Sequence, residues 1–281
     1  MEQLTGCAFV TGGGSGISKA ICMGFARSGA RGLVVADINI ESATRTAIES
    51  QGVATNPNFR AEAVQINVAE PDSVQNAIDR TVGIFERIDY CVNGAGIIGD
   101  FSDNILNTSI EQFKRVMDVN LFGTFLVLRA VSKVMASQEP IAIDPNNLAR
   151  GTYRGAVVNI GSIYSLMAVP DAISYVTSKH AVLGLTRSAA ISSASHDIRV
   201  NCICPSHIDT PLIRHMQTEC PTEPSVASLI PKGRMGLPEE IVDLVMFLCS
   251  PKSNWVNGTS ITIDGAMTAG HNFQPINKTT E

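Results

Sequence analysis

Thr11-Gly12-Gly13-Gly14-Ser15-Gly16-Ile17-Ser18 separates a short apolar run, Cys7–Thr11, from a stretch with helical periodicity, Ile17–Ser28. A glycine-rich turn between a strand and a helix lets the chain reverse tightly. It also lays backbone N–H groups against a pyrophosphate, whose charge the positive helix end favours. Further strand candidates follow at Gly32–Ala36, Ala63–Ile66, Tyr90–Asn93, Ala156–Ile160, Arg199–Ile203 and Ser260–Ile263. Several are apolar throughout, as parallel strands covered on both faces are. Helical patterns fill the gaps at Ile40–Glu49, Pro71–Phe85, Ile110–Met135, Ala172–Ser195 and Pro238–Cys249. Pro71 and Pro238 fall in first helical turns beside acidic residues, which suit that end of a helix. Repeated strand–helix–strand units imply right-handed crossovers. The expected architecture is an α/β doubly wound parallel sheet of about seven strands, one domain over residues 1–281.

Composition narrows the function. The 281 residues carry 21 Lys+Arg against 26 Asp+Glu, a net charge of −5, and a nucleic-acid protein would show a basic face. With 44% hydrophobic and 17% charged residues, the chain supports a sizeable core. Six residues before the first apolar run leave no room for a signal peptide, and the apolar stretches fall short of the roughly 20 residues of a membrane span. Seven cysteines, at 7, 22, 91, 202, 204, 220 and 249, are odd in number. Cys202 and Cys204 share one strand face and read as core rather than metal ligands. Asn-x-Ser/Thr matches at Asn107, Asn257 and Asn277 have no secretory context. A reduced cytoplasmic protein, with no metal site, membrane or nucleic-acid partner, is expected.

Two segments break the rhythm. Ser137–Gly155 is polar and holds Pro140, Pro145 and Gly151, a surface loop by its content. Ser206–Leu237 mixes Pro211, Pro221, Pro224 and Pro231 with Ile208, Leu212, Ile213, Met216, Leu229 and Ile230. A long loop with apolar side chains reads as a substrate lid, the alternative being a partly ordered insertion. The tail from 269 to 281 has no assigned role.

Asp37 ends the second strand 21 residues after Gly16. A carboxylate there accepts bonds from ribose hydroxyls and repels a 2′-phosphate, which favours NAD over NADP. Tyr175 and Lys179 are four apart in a helical stretch and share a face. Ser162 follows the strand Ala156–Ile160, at the strand end where open α/β sheets place their ligands. In these residues, with Asn93-Gly94-Ala95-Gly96 and Asn120, the chain resembles the classical short-chain dehydrogenase/reductase family over roughly residues 5–268. That resemblance implies a Rossmann fold and an oxidoreductase interconverting a secondary alcohol and a ketone. Tyr175 is then the general acid/base, Ser162 holds the reacting oxygen, Lys179 lowers the phenol's pKa and binds ribose, and Asn120 belongs to a proton relay. It implies cofactor contacts at Gly12, Ser15, Gly16, Ile17, Asp37, Asn67, Val68, Asn93, Ala95, Gly96, Pro205, Ile208 and Thr210, besides Tyr175 and Lys179. Thr210 also suits a helix N-cap before Pro211.

Departures from the family pattern are Ser18 for glycine, Asn67 for aspartate, Gly94 for the second asparagine of its run, and Ser206-His207 after Pro205. Asn67 is expected still to pair with the exocyclic amine of adenine. His207 reads as a solvated loop residue rather than a substrate contact. The family commonly forms dimers or tetramers through two long helices, here bearing Val127, Val131, Val182 and Leu185, positions that core packing explains equally well. The apolar lid suggests a bulky hydrophobic substrate, terpenoid, steroid-like or polyketide. Two alternatives are an NADPH-dependent biosynthetic ketoreductase and a catalytically retired dinucleotide-binding scaffold.

Overall fold

A computed structural model describes residues 4–100, 104–219 and 226–270. Cys220, Asn277, and the parts of the expected lid and tail at 221–225 and 271–281 lie outside the described residues.

Seven strands form one parallel sheet. They are β1 (Cys7–Thr11), β2 (Gly32–Asp37), β3 (Arg60–Gln65), β4 (Tyr90–Asn93), β7 (Gly155–Ile160), β8 (Ile198–Pro205) and β9 (Ser260–Ile263), and the order across the sheet is β3-β2-β1-β4-β7-β8-β9. Hairpin strands β5 (Ile141–Ala142) and β6 (Thr152–Tyr153) pair separately. The order reverses direction between β1 and β4, so a crevice opens at their carboxyl ends. Strands β1, β2 and β8 are buried along almost their whole length, because helices cover both faces. On one side α1 (Gly16–Arg27), α2 (Ile40–Val53) and α8 (Pro238–Cys249) pack on Val10, Val35 and Val158. On the other, α3 (Pro71–Phe85) and the 110–137 helix, which comprises α4 (Ile110–Met117) and α5 (Thr124–Ser137), cover Phe9, Val34 and Val157. Helix α6 (Ile173–Ser193) follows β7 and packs on β8.

Most element ends move by a residue or two, which is the fraying expected at helix and strand ends. The edge strand β3 begins three residues before the expected Ala63, because Arg60 and Glu62 pair with each other at 2.7 Å on its exposed edge and mask the apolar pattern. Residues 137–155 are not a plain loop: they fold as the β5–β6 hairpin, and Arg150 Nη2 donates to the Pro251 carbonyl at 3.2 Å. Within 206–237 stands a helix, α7 (Pro211–Glu219), starting directly after Thr210, the expected N-cap. A bridge from Ile208 to Gly236 closes the base of that segment.

The helical run Ile110–Ser137 is, among the described residues, the one segment long and apolar enough to cross a membrane. Half of that window is buried in the fold, as a core helix would be. Val127, Val131 and Val182 are each at most 1% exposed and serve the core, so they do not form a subunit face.

Candidate active site

The first turn builds a cradle. Gly12 and Gly16 have φ of +68° and +55°, a left-handed backbone that side chains disfavour. A Cβ on Gly12 would come 3.0 Å from the Ala95 backbone. Thr11 Oγ1 accepts from the N–H groups of Gly94 at 3.1 Å and Ala95 at 3.2 Å, joining this turn to the loop after β4. Ser15 opens α1 without spending its hydroxyl on a cap, so that hydroxyl and the helix's first N–H groups are available to an anion. Asp37 is fixed at the far end: its Oδ2 accepts from Gly14 N and its Oδ1 from Asn39 N, both at 2.9 Å.

From Asp37 to Tyr175 runs a cavity of about 370 Å³. Gly12, Ser15, Gly16, Ile17, Asp37, Asn67, Val68, Ala95, Gly96, Tyr175, Lys179 and Thr210 all line it. Glycine-free bulk in the turn would fill its phosphate end, and an acidic group stands at its other pole, so the residues fit a dinucleotide. Three expected contacts do not reach the wall. Asn93 turns sideways and donates to Asn159 Oδ1 at 2.8 Å, Ile208 is 2% exposed in the core, and Pro205 ends β8 inside the sheet. Ile38, Ile97, Ile98 and Val119 were not foreseen and do line the cavity, and Leu212 of the expected lid lines it too. The apolar pair Ile97-Ile98 directly after Gly96, in no strand or helix pattern, was the available signal.

Of the expected catalytic residues Tyr175 and Lys179 line the cavity, and Ser162 and Asn120 do not. Ser162 caps a single turn of 3₁₀ helix, its Oγ accepting from Tyr164 N at 3.2 Å. Its hydroxyl is also hydrogen-bonded to that of Tyr175. Four residues on along α6, Lys179 sits with Nζ 5.6 Å from the Tyr175 ring centroid and donates to the Ile160 carbonyl at 2.8 Å. Burial pushes the Tyr175 phenol above its ordinary value, the Ser162 bond opposing and Cys204 adding to the rise. Burial also lowers Lys179, from 10.5 to about 8. Desolvation therefore dominates both groups, and Lys179 is not among the causes that move the phenol.

Asn120 lies in a π-helical stretch, Asp118–Gly123, between α4 and α5. Such bulges mark functional sites because they turn a side chain off the regular helix face. Its Nδ2 donates to the Ile97 carbonyl at 2.8 Å and to Ser178 Oγ at 3.0 Å, while its Oδ1 accepts from Ile97 N at 2.8 Å. These bonds clamp α6 to the loop after β4.

Two sequence departures prove to be one. A Cβ on Gly94 would collide with Ser18 Oγ, so the hydroxymethyl occupies the space that a side chain at 94 would need. Gly94→Ala is expected to cost about 2 kcal/mol, and Ser18→Gly in the same chain to recover most of it. Urea unfolding of the two single variants and the double variant checks this, and strict additivity would refute it. Asn67 is held at the cavity wall, its Oδ1 accepting from Ala69 N at 3.1 Å. The oxygen keeps a second lone pair and Nδ2 is a donor, so the amide can still pair with the exocyclic amine of adenine or with a ring nitrogen. Thr210 does cap α7, accepting from Ile213 N at 3.4 Å. His207 is not solvated: it is 8% exposed.

Comparison with known proteins agrees with this geometry. The profile of the family described as enoyl-(acyl carrier protein) reductase matches residues 12–268. A short-chain dehydrogenase of Aspergillus ruber, fogB, is 45% identical over 267 residues, covering 95% of this chain and 98% of that one. Among solved structures, levodione reductase is similar with a TM-score of 0.84 and 30% identity, over 96% of this chain and 100% of that one. NAD⁺-bound xylitol dehydrogenase is similar with a TM-score of 0.80 and 26% identity, over 92% and 97% of the two chains.

Proposed function

The chain belongs to the classical short-chain dehydrogenase/reductase family, and from that premise we propose that it interconverts a secondary alcohol and a ketone with NAD(H), on a bulky hydrophobic substrate. The observation carrying this reading is the bonded pair of hydroxyls, Ser162 and Tyr175, the second of which lines a dinucleotide-shaped cavity beside Lys179. When bound, the nicotinamide takes or supplies the hydride. Tyr175 takes the alcohol's proton, or gives one to the ketone. Ser162 holds the reacting oxygen while charge develops on it. Lys179 lines the same cavity, where its ammonium can turn from the Ile160 carbonyl to the ribose. Asn120 keeps Ile97 and Ser178 in place beneath the pair, at the position where a proton relay would leave the site.

The preference for NAD rests on Asp37 and on where nearby cations are committed. Lys19 pairs with Glu49 at 2.8 Å, Arg31 donates to the Phe85 carbonyl at 2.9 Å, and Arg45 donates to Ser42 Oγ at 2.8 Å. A 2′-phosphate at the end of β2 would meet a carboxylate and gain none of these charges. The NAD⁺-bound neighbour supports this, and relatives named as a dehydrogenase and a reductase support both reaction directions. Exposed Leu166, Met167 and Leu212 support an apolar substrate. Fluorescence titration should find NADH bound on the order of 100-fold more tightly than NADPH, and Asp37→Ser should narrow that gap. Equal or tighter NADPH binding would move the reading to an NADPH-dependent ketoreductase. A panel of alcohols and ketones followed at the nicotinamide absorbance tests the reaction itself.

A further inference from the structure

One buried polar group near the reacting hydroxyls is left unused by this mechanism. His207 stands two residues past Pro205, just beyond β8, and its Nδ1 is buried with no hydrogen-bond partner. The ring of His207 meets Tyr164 edge to face, centroids 6.2 Å apart at 82°, and Tyr164 meets Tyr175 in the same way at 6.4 Å and 77°. Three rings thus run in series from the proton donor to the imidazole. Tyr164 also binds Ser162 through its backbone N–H, so these rings and the oxygen-holding hydroxyl form one piece. On the other side the His207 carbonyl accepts from Gly236 N at 3.0 Å, which pins the backbone.

An unpaired buried nitrogen is costly, and an apolar ring at 207 would pack against Tyr164 without that cost. Burial also holds the imidazole below its ordinary pKa, leaving it neutral with one donor and one acceptor nitrogen. A hydroxyl both donates and accepts, so it satisfies Nδ1 in either tautomer, whereas a carbonyl satisfies only one. The edge-to-face rings favour a flat ring beside them.

We propose that His207 is a specificity-determining residue whose Nδ1 takes the hydroxyl of a ring-bearing ketone or alcohol, so that the preferred substrate carries a second oxygen beyond the reacting one. The proposal rests on the reading of Tyr175 as proton donor. α-Tetralone and its ring-hydroxylated isomers, titrated into the enzyme–NADH complex by fluorescence quenching, test it. At least one isomer should bind about 10-fold tighter than the parent ketone. His207→Phe should erase that preference. His207→Asn, whose amide can occupy the place of Nδ1, should retain it, and His207→Gln should not. If the Phe variant fails to fold, the Asn–Gln contrast decides. No preference in the wild type, no binding of any of these ketones, or a preference that survives in His207→Phe or is equal in the Asn and Gln variants would overturn the proposal. Failure of the underlying reading looks different: the binding preference would hold while NADH reduced no ketone.

Discussion

Tyr175→Phe should lower kcat about 10³-fold in both directions while the protein still binds NADH. A positioned general acid/base contributes 10²–10⁴-fold, and here the Tyr175 hydroxyl is bonded to that of Ser162. The ring's packing against Tyr164 survives the change, so the loss isolates the hydroxyl. The pH dependence has a definite sign. Burial raises the Tyr175 phenol, so it stays protonated through neutral pH and can give its proton to a ketone there. Ketone reduction should hold steady across neutral pH and fall only in alkali. Alcohol oxidation needs the phenolate and should climb with pH, the positive charge of an oxidised nicotinamide bringing that rise toward neutrality. Steady-state kinetics against pH for wild type and variant check this. Unchanged turnover in the variant would return the protein to the class of dinucleotide-binding scaffolds.

Much of this site was legible because chain order at a parallel sheet's carboxyl edge fixes who meets whom. A glycine turn after β1, an acid ending β2 and a serine just past β7 must converge once the strands are parallel, and helical spacing then adds Lys179 to Tyr175. Spacing does not say which way a side chain turns. Asn93 stands at the correct strand end, yet its amide bonds sideways to Asn159, which in turn donates to Thr186 on α6 at 2.9 Å. Ile208 is in the expected loop, but its backbone bridge to Gly236 draws it into the core. His207 looked solvated because burial of a loop residue depends on what folds over it, and the proline-rich stretch that holds α7 reads as a loop. The pKa balance at Tyr175 and Lys179 was hidden for the same reason: charge proximity can be read from spacing, and desolvation cannot.

Lys179→Met is expected to trade function for stability. The ammonium is 7% exposed and holds one carbonyl, that of Ile160. Its folded pKa of about 8 lies below the ordinary 10.5, so its burial costs about 3 kcal/mol at neutral pH. Methionine keeps the volume and removes the charge, though it orphans the Ile160 carbonyl at a cost of about 1–2 kcal/mol. The variant should therefore unfold about 1 kcal/mol harder than wild type at neutral pH, yet lose turnover on the order of 10²-fold with Tyr175 deprived of its cation. The stronger signature lies in the pH curve. Between about 8 and 10.5 the unfolded chain holds a proton on Lys179 that the folded chain has released, so this residue's contribution to stability rises with pH. Buried thiols such as Cys22 and Cys91, raised by burial, titrate in the opposite sense, and they cancel in the difference between wild type and variant. That difference should rise by about 3 kcal/mol across the window in urea unfolding at stepped pH. Parallel curves would mean that the lysine is not held against its preference.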